Sequence, residues 1–261
     1  MDRNFLLQLE FDGGQFAGWQ RQAAGRTVQG ELERVLSRLA DRQVVAHGAG
    51  RTDAGVHAEG LGVTCLLPAR WDAPSLLRAV NALLPEDCRV VQAQEVSPNL
   101  HARRSASART YRYELGTDPE SHSPFRRRWE WALARSVDLT TMAETAARLV
   151  GEHDFHRLSV RNSPRPHYRC VVRAATWEVR ADGTGAHFHI TADRFLHHMV
   201  RMLVGTMVDI GLGRRPGADL GRLLQHDPSV RTSPPAPAEG LYFVVADYPS
   251  ELLAVPSQVM S

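Results

Sequence analysis

The chain has 261 residues, 43% of them apolar, enough to bury a sizeable core as one large domain or two small ones. With 31 basic and 29 acidic residues the net charge is +2, which excludes a uniformly basic surface and confines any anion-binding surface to local patches. Every basic residue is arginine and none is lysine. A planar guanidinium grips phosphate with two hydrogen bonds and stacks on bases, although a coding bias toward arginine produces the same composition.

Taken in chain order, Phe5, Leu7, Leu9 and Phe11 alternate with Gln8 and Glu10, the period of a half-buried strand, before a turn at Gly13-Gly14. Thr27 caps a helix whose apolar face, Val28, Leu32, Val35, Leu36 and Leu39, runs to about Ala40. Val44 to Ala46 and Leu61 to Leu67 read as strands bracketing a loop around Asp53. A helix with Pro74 in its first turn carries Leu76, Leu77, Val80, Leu83 and Leu84 and stops at Pro85; Cys88 to Val96 follows as a strand. The order β-α-β-β-α-β is that of a split βαβ, ferredoxin-like unit.

The second half repeats the pattern. Arg109 to Leu115 is a strand, and a helix over Leu139, Met142, Ala143, Ala146, Leu149 and Val150 closes at Gly151. Strands Arg169 to Val179 and His187 to Ala192 pair across the Asp182-Gly183 turn. A helix from about Phe195 to Ile210, a shorter one over Leu220 to Leu224 and a strand from Leu241 to Tyr248 complete the set. The expected fold is α+β: duplicated split-βαβ halves, residues 1–104 and 105–261, forming a largely antiparallel sheet with helices on one face. The stretches Ser159 to His167 and Arg231 to Glu239, both punctuated by proline, are expected to be exposed loops.

Four glycines, Gly48, Gly50, Gly55 and Gly60, surround Arg51, Thr52, Asp53 and His57. Glycine permits sharp turns and close approach to a ligand, and a carboxylate beside an arginine suits a nucleophile in a cleft; a tight turn capped by Asp53 reads the same way. On the helix from Phe195, a 100° step puts Arg194, His198, Arg201 and Gly205 opposite the apolar face, where Arg201 reaches either a carboxylate or solvent. Tyr111 and Tyr113 share a side of their strand, fit for stacking on a flipped base or for the core.

The twelve histidines carry no HExxH or comparable signature, and no GxGxxG or P-loop is present, so neither a metal nor a nucleotide cofactor is expected. Cys65, Cys88 and Cys170 lack paired spacing and read as buried thiols of a reducing compartment. No apolar run approaches the roughly 20 residues of a membrane span, and an alternating strand opens the chain where a signal peptide would stand. The expected location is the cytoplasm.

Ordered motifs over nearly the whole chain carry a resemblance: Phe11-Asp12-Gly13-Gly14, Gly18-Trp19-Gln20-Arg21-Gln22, Thr27-Val28-Gln29, Ala49 through His57, and Asn81 through Pro85. His101-Ala102-Arg103, Tyr111-Arg112-Tyr113, Met199-Val200-Arg201 with Val204-Gly205-Thr206, and Glu239-Gly240-Leu241-Tyr242 follow. Together they resemble the TruA-type tRNA pseudouridine synthases. The resemblance implies that Asp53 is the nucleophile, Arg51 assists base flipping, Tyr111 contacts the base, Arg201 pairs with the catalytic carboxylate and Leu241 packs against the uracil. It further implies that His101, Arg103, Arg104, Arg161 and Arg165 touch tRNA, that the enzyme is a homodimer acting at tRNA positions 38, 39 and 40, and that no cofactor is needed. Phe11 stands where the family usually has tyrosine. A noncatalytic RNA-binding protein on the same fold, or a metal-dependent hydrolase using the histidine pairs, are the competing readings.

Overall fold

The computed structural model describes residues 2–160 and 167–254. The chain forms two compact units, Met1–Ala108 with Phe243–Ser261, and Arg109–Tyr242.

The first unit opens with β1 (Asp2–Phe11), followed by α1 (Val28–Ala40), β2 (His47–Gly48), β3 (His57–Pro68), α2 (Ala73–Asn81) and β4 (Cys88–Val96). Its strands lie in the order β4-β1-β3-β2, each neighbouring pair antiparallel. β1 is central because its alternation buries Phe5, Leu7 and Leu9 completely, and α1 brings Leu32, Val35 and Leu36 into the same core. Thr27 caps α1 by accepting the Gly30 N–H, and Asp72 caps α2 through the Ser75 N–H at 2.7 Å. Asn81 then ties the end of α2 to β4, bonding both the N–H and the carbonyl of Val90 at 2.8 Å.

The strand expected at Val44 to Ala46 lies instead at His47–Gly48. The reason is a competing set of partners: Val44 N–H goes to Ser37 Oγ (2.9 Å) and Ala46 N–H to Glu33 Oε1 (3.0 Å), so both backbone donors serve α1 side chains. Glu33, 4% exposed, also accepts from Gln29 Nε2 (3.0 Å) and Arg21 (2.8 Å), and Gln29 reaches the Ala46 carbonyl (3.1 Å). Two polar residues one turn apart on a buried helix face thus hold the approach to the Asp53 loop.

The second unit contains β5 (Ala108–Gly116), β6 (Trp131–Ala132), α3 (Leu139–Ala147), β7 (Gly151–Asp154), β8 (Arg169–Val179), β9 (Gly185–Ala192), α4 (Met199–Gly211) and α5 (Ala218–Leu224). Its sheet runs β5-β9-β8-β7, antiparallel, with β6 added parallel to β5. The β8–β9 hairpin turns where expected, with Gly183 at φ 72° and Asp182 accepting the Thr184 N–H at 3.0 Å. Tyr113, Leu115, Phe188, Leu203, Val204 and Met207 are fully buried, and Trp177 stacks near Phe188 with 5.1 Å between ring centroids.

Two helices are shorter than their periodicity suggests. α3 ends at Ala147, and Gly151 (φ 115°) is the first residue of β7. α4 begins at Met199, because His198 takes a left-handed conformation (φ 60°) and residues 194–198 are not helical. The polar face expected for Arg194, His198, Arg201 and Gly205 therefore does not exist as one stripe, and Gly205 is buried. The chain finally runs through β10 (Leu241–Asp247), which starts in the second unit, and α6 (Ser250–Leu253) in the first. There it packs tightly on β3: a Cβ at Gly60 would lie 2.5 Å from the Val244 carbonyl oxygen.

Replacing Glu33 by Ala removes the acceptor for Ala46, Gln29 and Arg21 at once. The expected loss is about 2–4 kcal/mol of stability, read from the shift of the urea midpoint of the first unit, with the far-UV spectrum unchanged.

Candidate active site

The loop holding Asp53 is pinned from two sides by the segment between β1 and α1. Gly18 (φ 96°) lies so close that a Cβ would stand 2.7 Å from the Thr52 carbonyl oxygen, and Trp19 N–H donates to that same carbonyl at 3.1 Å. A Cβ on Gly13 would fall 2.1 Å from the carbonyl oxygen of Val56. Gly48, without a side chain, receives the Trp19 ring, where a Cβ would meet ring atoms at 2.7 Å. The turn itself closes through Val56 N–H to the Asp53 carbonyl (3.2 Å), with Gly55 at φ 81°.

His57, 1% exposed, anchors the loop's far end by accepting the Gly13 N–H on Nδ1 at 3.1 Å. Asp12 Oδ1 lies 3.2 Å from the same nitrogen and accepts the Gly14 N–H at 2.9 Å, so Asp12, Gly13 and Gly14 meet the His57 ring together. The outcome is a rigid frame with Thr52 and Val56 buried, Asp53 half-buried and Arg51 exposed. The Thr52 hydroxyl is buried without a hydrogen-bond partner among the described residues.

Arg26 steadies the same segment. Its guanidinium grips both oxygens of Asp87 and lies over the Phe16 ring, 4.2 Å from the centroid. The hydrogen bond to Asp87 holds Arg26 above its ordinary range and, reciprocally, holds the Asp87 carboxyl below its own.

His101, Arg103 and Arg104 share one turn of the first unit. The His101 ring accepts the N–H groups of Arg103 (3.1 Å) and Arg104 (3.4 Å) on Nδ1 and stacks on His47 at 4.7 Å. Ala102, fully buried, fixes the turn by donating to Thr64 Oγ1 at 3.1 Å, which leaves both arginine side chains exposed. Burial first, then His47 and Arg104, pushes the His101 pKa below its ordinary value.

The second unit separates the two tyrosines that the strand period aligns. Tyr113 is a core residue: fully buried, its hydroxyl donates to the Pro237 carbonyl at 2.9 Å, and burial raises its pKa well above the ordinary value. Tyr111, 7% exposed, meets the Phe195 ring edge-on at 4.9 Å, a contact without a sequence signal. Leu241 is buried directly after Gly240, where a Cβ would stand 2.6 Å from the Tyr113 ring.

Arg201 is held by the proline-rich stretch, Arg231 to Glu239, expected to be an exposed loop. Arg201 Nε donates to the Ala236 carbonyl (2.7 Å), Ala236 N–H donates back to the Arg201 carbonyl (2.9 Å), and Gly205 gives space to the Pro234 carbonyl, which a Cβ would meet at 2.2 Å. Ser233 and Ala236 are accordingly buried. Arg161 and Arg165 lie outside the described residues.

The first unit thus presents a half-buried carboxylate on a glycine-framed turn, and the second, separately, an arginine anchored at the start of a helix and a buried tyrosine on a strand. The chain belongs to the tRNA pseudouridine synthase family, whose model matches residues 145–249. It is 41% identical over 246 residues to the tRNA pseudouridine synthase A of Methylococcus capsulatus, covering 94% of this chain and 89% of that one. The enzyme of the same name from Chlorobium luteolum is 42% identical over 250 residues (95% and 97% covered), and that from Thermus thermophilus 40% over 255 residues (97% and 99%).

Two outcomes follow from this geometry. Gly18→Ala combines a positive φ with a backbone clash, so it should cost at least about 2 kcal/mol in thermal unfolding and depress turnover. Gly183→Ala, a positive-φ position with open space around it, should cost about 1 kcal/mol and leave turnover intact. The second outcome concerns pH. A lowered His101 pKa means that the unfolded turn binds more protons, so the stabilisation is complete above pH 6.5, the ordinary value, and declines as pH falls below it. Exchange protection factors of the Arg103 and Arg104 amides should fall across that window, and His101→Ala should abolish the dependence.

Proposed function

We propose that this chain converts uridine to pseudouridine at positions 38, 39 and 40 of the tRNA anticodon arm, with Asp53 as nucleophile. The observation that carries the reading is the Asp53 turn, whose backbone is fixed from two sides by Gly13, Gly18 and Trp19 while its carboxylate stays half-exposed. A turn residue needed only for capping requires no such frame. The names of the relatives supply the reaction class.

The reaction is an isomerisation: the bond from ribose C1′ to uracil N1 breaks, the freed base turns in place, C1′ bonds to C5, the C5 proton leaves and N1 takes one up. Atoms and electrons balance without a redox partner. The uridine first leaves its stack at a cost of a few kcal/mol, and Arg51, exposed beside Asp53, braces the vacated space. Arg201 acts as the counter-charge of the carboxylate, Tyr111 stacks on the base and assists departure of the C5 proton, and Leu241 packs on the uracil. His101, Arg103 and Arg104 engage the tRNA backbone, as do Arg161 and Arg165.

The strand order β4-β1-β3-β2 of the first unit and β5-β9-β8 of the second support the reading of both as split-βαβ repeats. The same reading makes the enzyme a cytoplasmic homodimer with tRNA spanning both subunits. No helix among the described residues is long and apolar enough to cross a membrane.

Incubation with tRNA tritiated at uridine C5 tests the proposal. Wild type should release tritium, and Asp53→Asn should lower the rate at least about 1000-fold with unchanged thermal stability. Absence of release from every tRNA with uridine in its anticodon arm would overturn the reaction. A full rate in the Asn variant would remove Asp53 as nucleophile.

A further inference from the structure

Tyr111 stands on β5, but a strand fixes only where its side chain begins. The last torsion of a tyrosine is broad, so the plane of its ring is set by whatever packs against it. For a ring that stacks on a base, that plane is the property that counts. Phe195 packs there: the two ring centroids are 4.9 Å apart and the planes are inclined at 79°, the edge-to-face arrangement that aromatic quadrupoles favour.

Phe195 lies on no regular element, between β9 and α4, yet its backbone is held on both sides. Before it, the Asp193 N–H donates to the Val171 carbonyl (3.0 Å), Asp193 Oδ1 accepts the Val171 N–H (2.8 Å), and the Asp193 carbonyl accepts from Arg109 Nη1 (2.8 Å). Arg109 is two residues before Tyr111 on the same side of β5, so this last bond ties the Phe195 segment to the strand that carries Tyr111. After it, Leu196 is buried, its carbonyl accepts the Met199 N–H (3.1 Å), and the left-handed His198 turns the chain into α4. Phe195 itself is only half-buried, whereas Tyr111 is buried. A ring partly in solvent adds less to a core than a covered one, so a segment held this firmly serves the contact more than the packing.

We propose that Phe195 is a positioning residue for the isomerisation: it sets the ring plane of Tyr111 so that the tyrosine presents its face to the uracil, and it acts on the base only through Tyr111. The inference rests on the role given to Tyr111 under the proposed function.

Tritium release from tRNA, resolved into kcat and KM and accompanied by thermal unfolding, tests this in Phe195→Leu, Phe195→Tyr, Tyr111→Leu and the double variant Phe195→Leu with Tyr111→Leu. Leucine keeps an apolar side chain at a half-buried position, so Phe195→Leu should fold. It should lower kcat about 10- to 100-fold with KM for tRNA unchanged, and Phe195→Tyr, which keeps a ring, should restore the rate. With the Tyr111 ring gone there is no plane to set, so the double variant should be no slower than Tyr111→Leu alone. Full kcat in Phe195→Leu, a loss that Phe195→Tyr does not restore, or losses that multiply in the double variant each overturn the positioning role and leave that of Tyr111 in place. The two Phe195 variants decide the matter by themselves should Tyr111→Leu fail to fold. Full kcat in Tyr111→Leu instead removes Tyr111 from the reaction and Phe195 with it, and a wild type that releases no tritium defeats the pseudouridine reading itself.

Discussion

The close approach of the Gly13 to Trp19 segment to the Asp53 turn is the constraint on which the candidate site depends. A Cβ at Gly13 or Gly18 would stand 2.1 or 2.7 Å from a loop carbonyl oxygen, so the approach exists only because those side chains are absent. Removing them brings backbone against backbone, and the Trp19 N–H then reaches Thr52 while its ring covers Gly48. Rigid backbone contacts of this kind set the position of the Asp53 turn more narrowly than a flexible side-chain clamp does, which is what the proposed role of Asp53 as nucleophile requires.

That approach is itself supported by polar rather than apolar packing. Gln29 and Glu33 lie on the buried side of α1 and distribute their hydrogen bonds to residues 20, 21 and 46, the two chain segments entering and leaving the site's frame. Burying a carboxylate opposes folding unless its hydrogen bonds are complete, so such a pair adds little net stability, but it admits one register only. An apolar pair at these positions would bury equal area and leave the neighbouring segments free to slide. The same logic holds at Arg201, where bonds in both directions with Ala236 fix the helix start against an irregular stretch that has no strand of its own to hold it.

Periodicity made most elements legible, because one buried face per strand or helix leaves a period in the residues: β1 and α1 follow directly from it. It failed where the backbone answers to side chains. The α1 residues Ser37 and Glu33 capture the donors of Val44 and Ala46, and a left-handed His198 interrupts a run whose apolar spacing continues through it. In the site, the Asp53 loop was visible as glycine-flanked charge, and Gln29 and Glu33 were visible, in principle, as polar residues on an apolar helix face. Phe195 on Tyr111 and Pro234 on Gly205 were not, since the partner in each contact comes from an irregular segment, which has no period. The ion pairs that tie the segment between β5 and β6, Arg126 with Asp118 and Glu130 and Arg180 with Glu130, were hidden for a related reason.

The near balance of charge, a net +2, is used largely in structural pairs. Arg26 with Asp87, Arg126 with Asp118, Arg180 with Glu114 and Glu130, and Arg215 with Asp219 are structural pairs, each spending guanidinium geometry on a carboxylate. Long-range attraction for a polyanion is therefore small, and any affinity for one depends on local groupings of arginine rather than on the field of the whole chain.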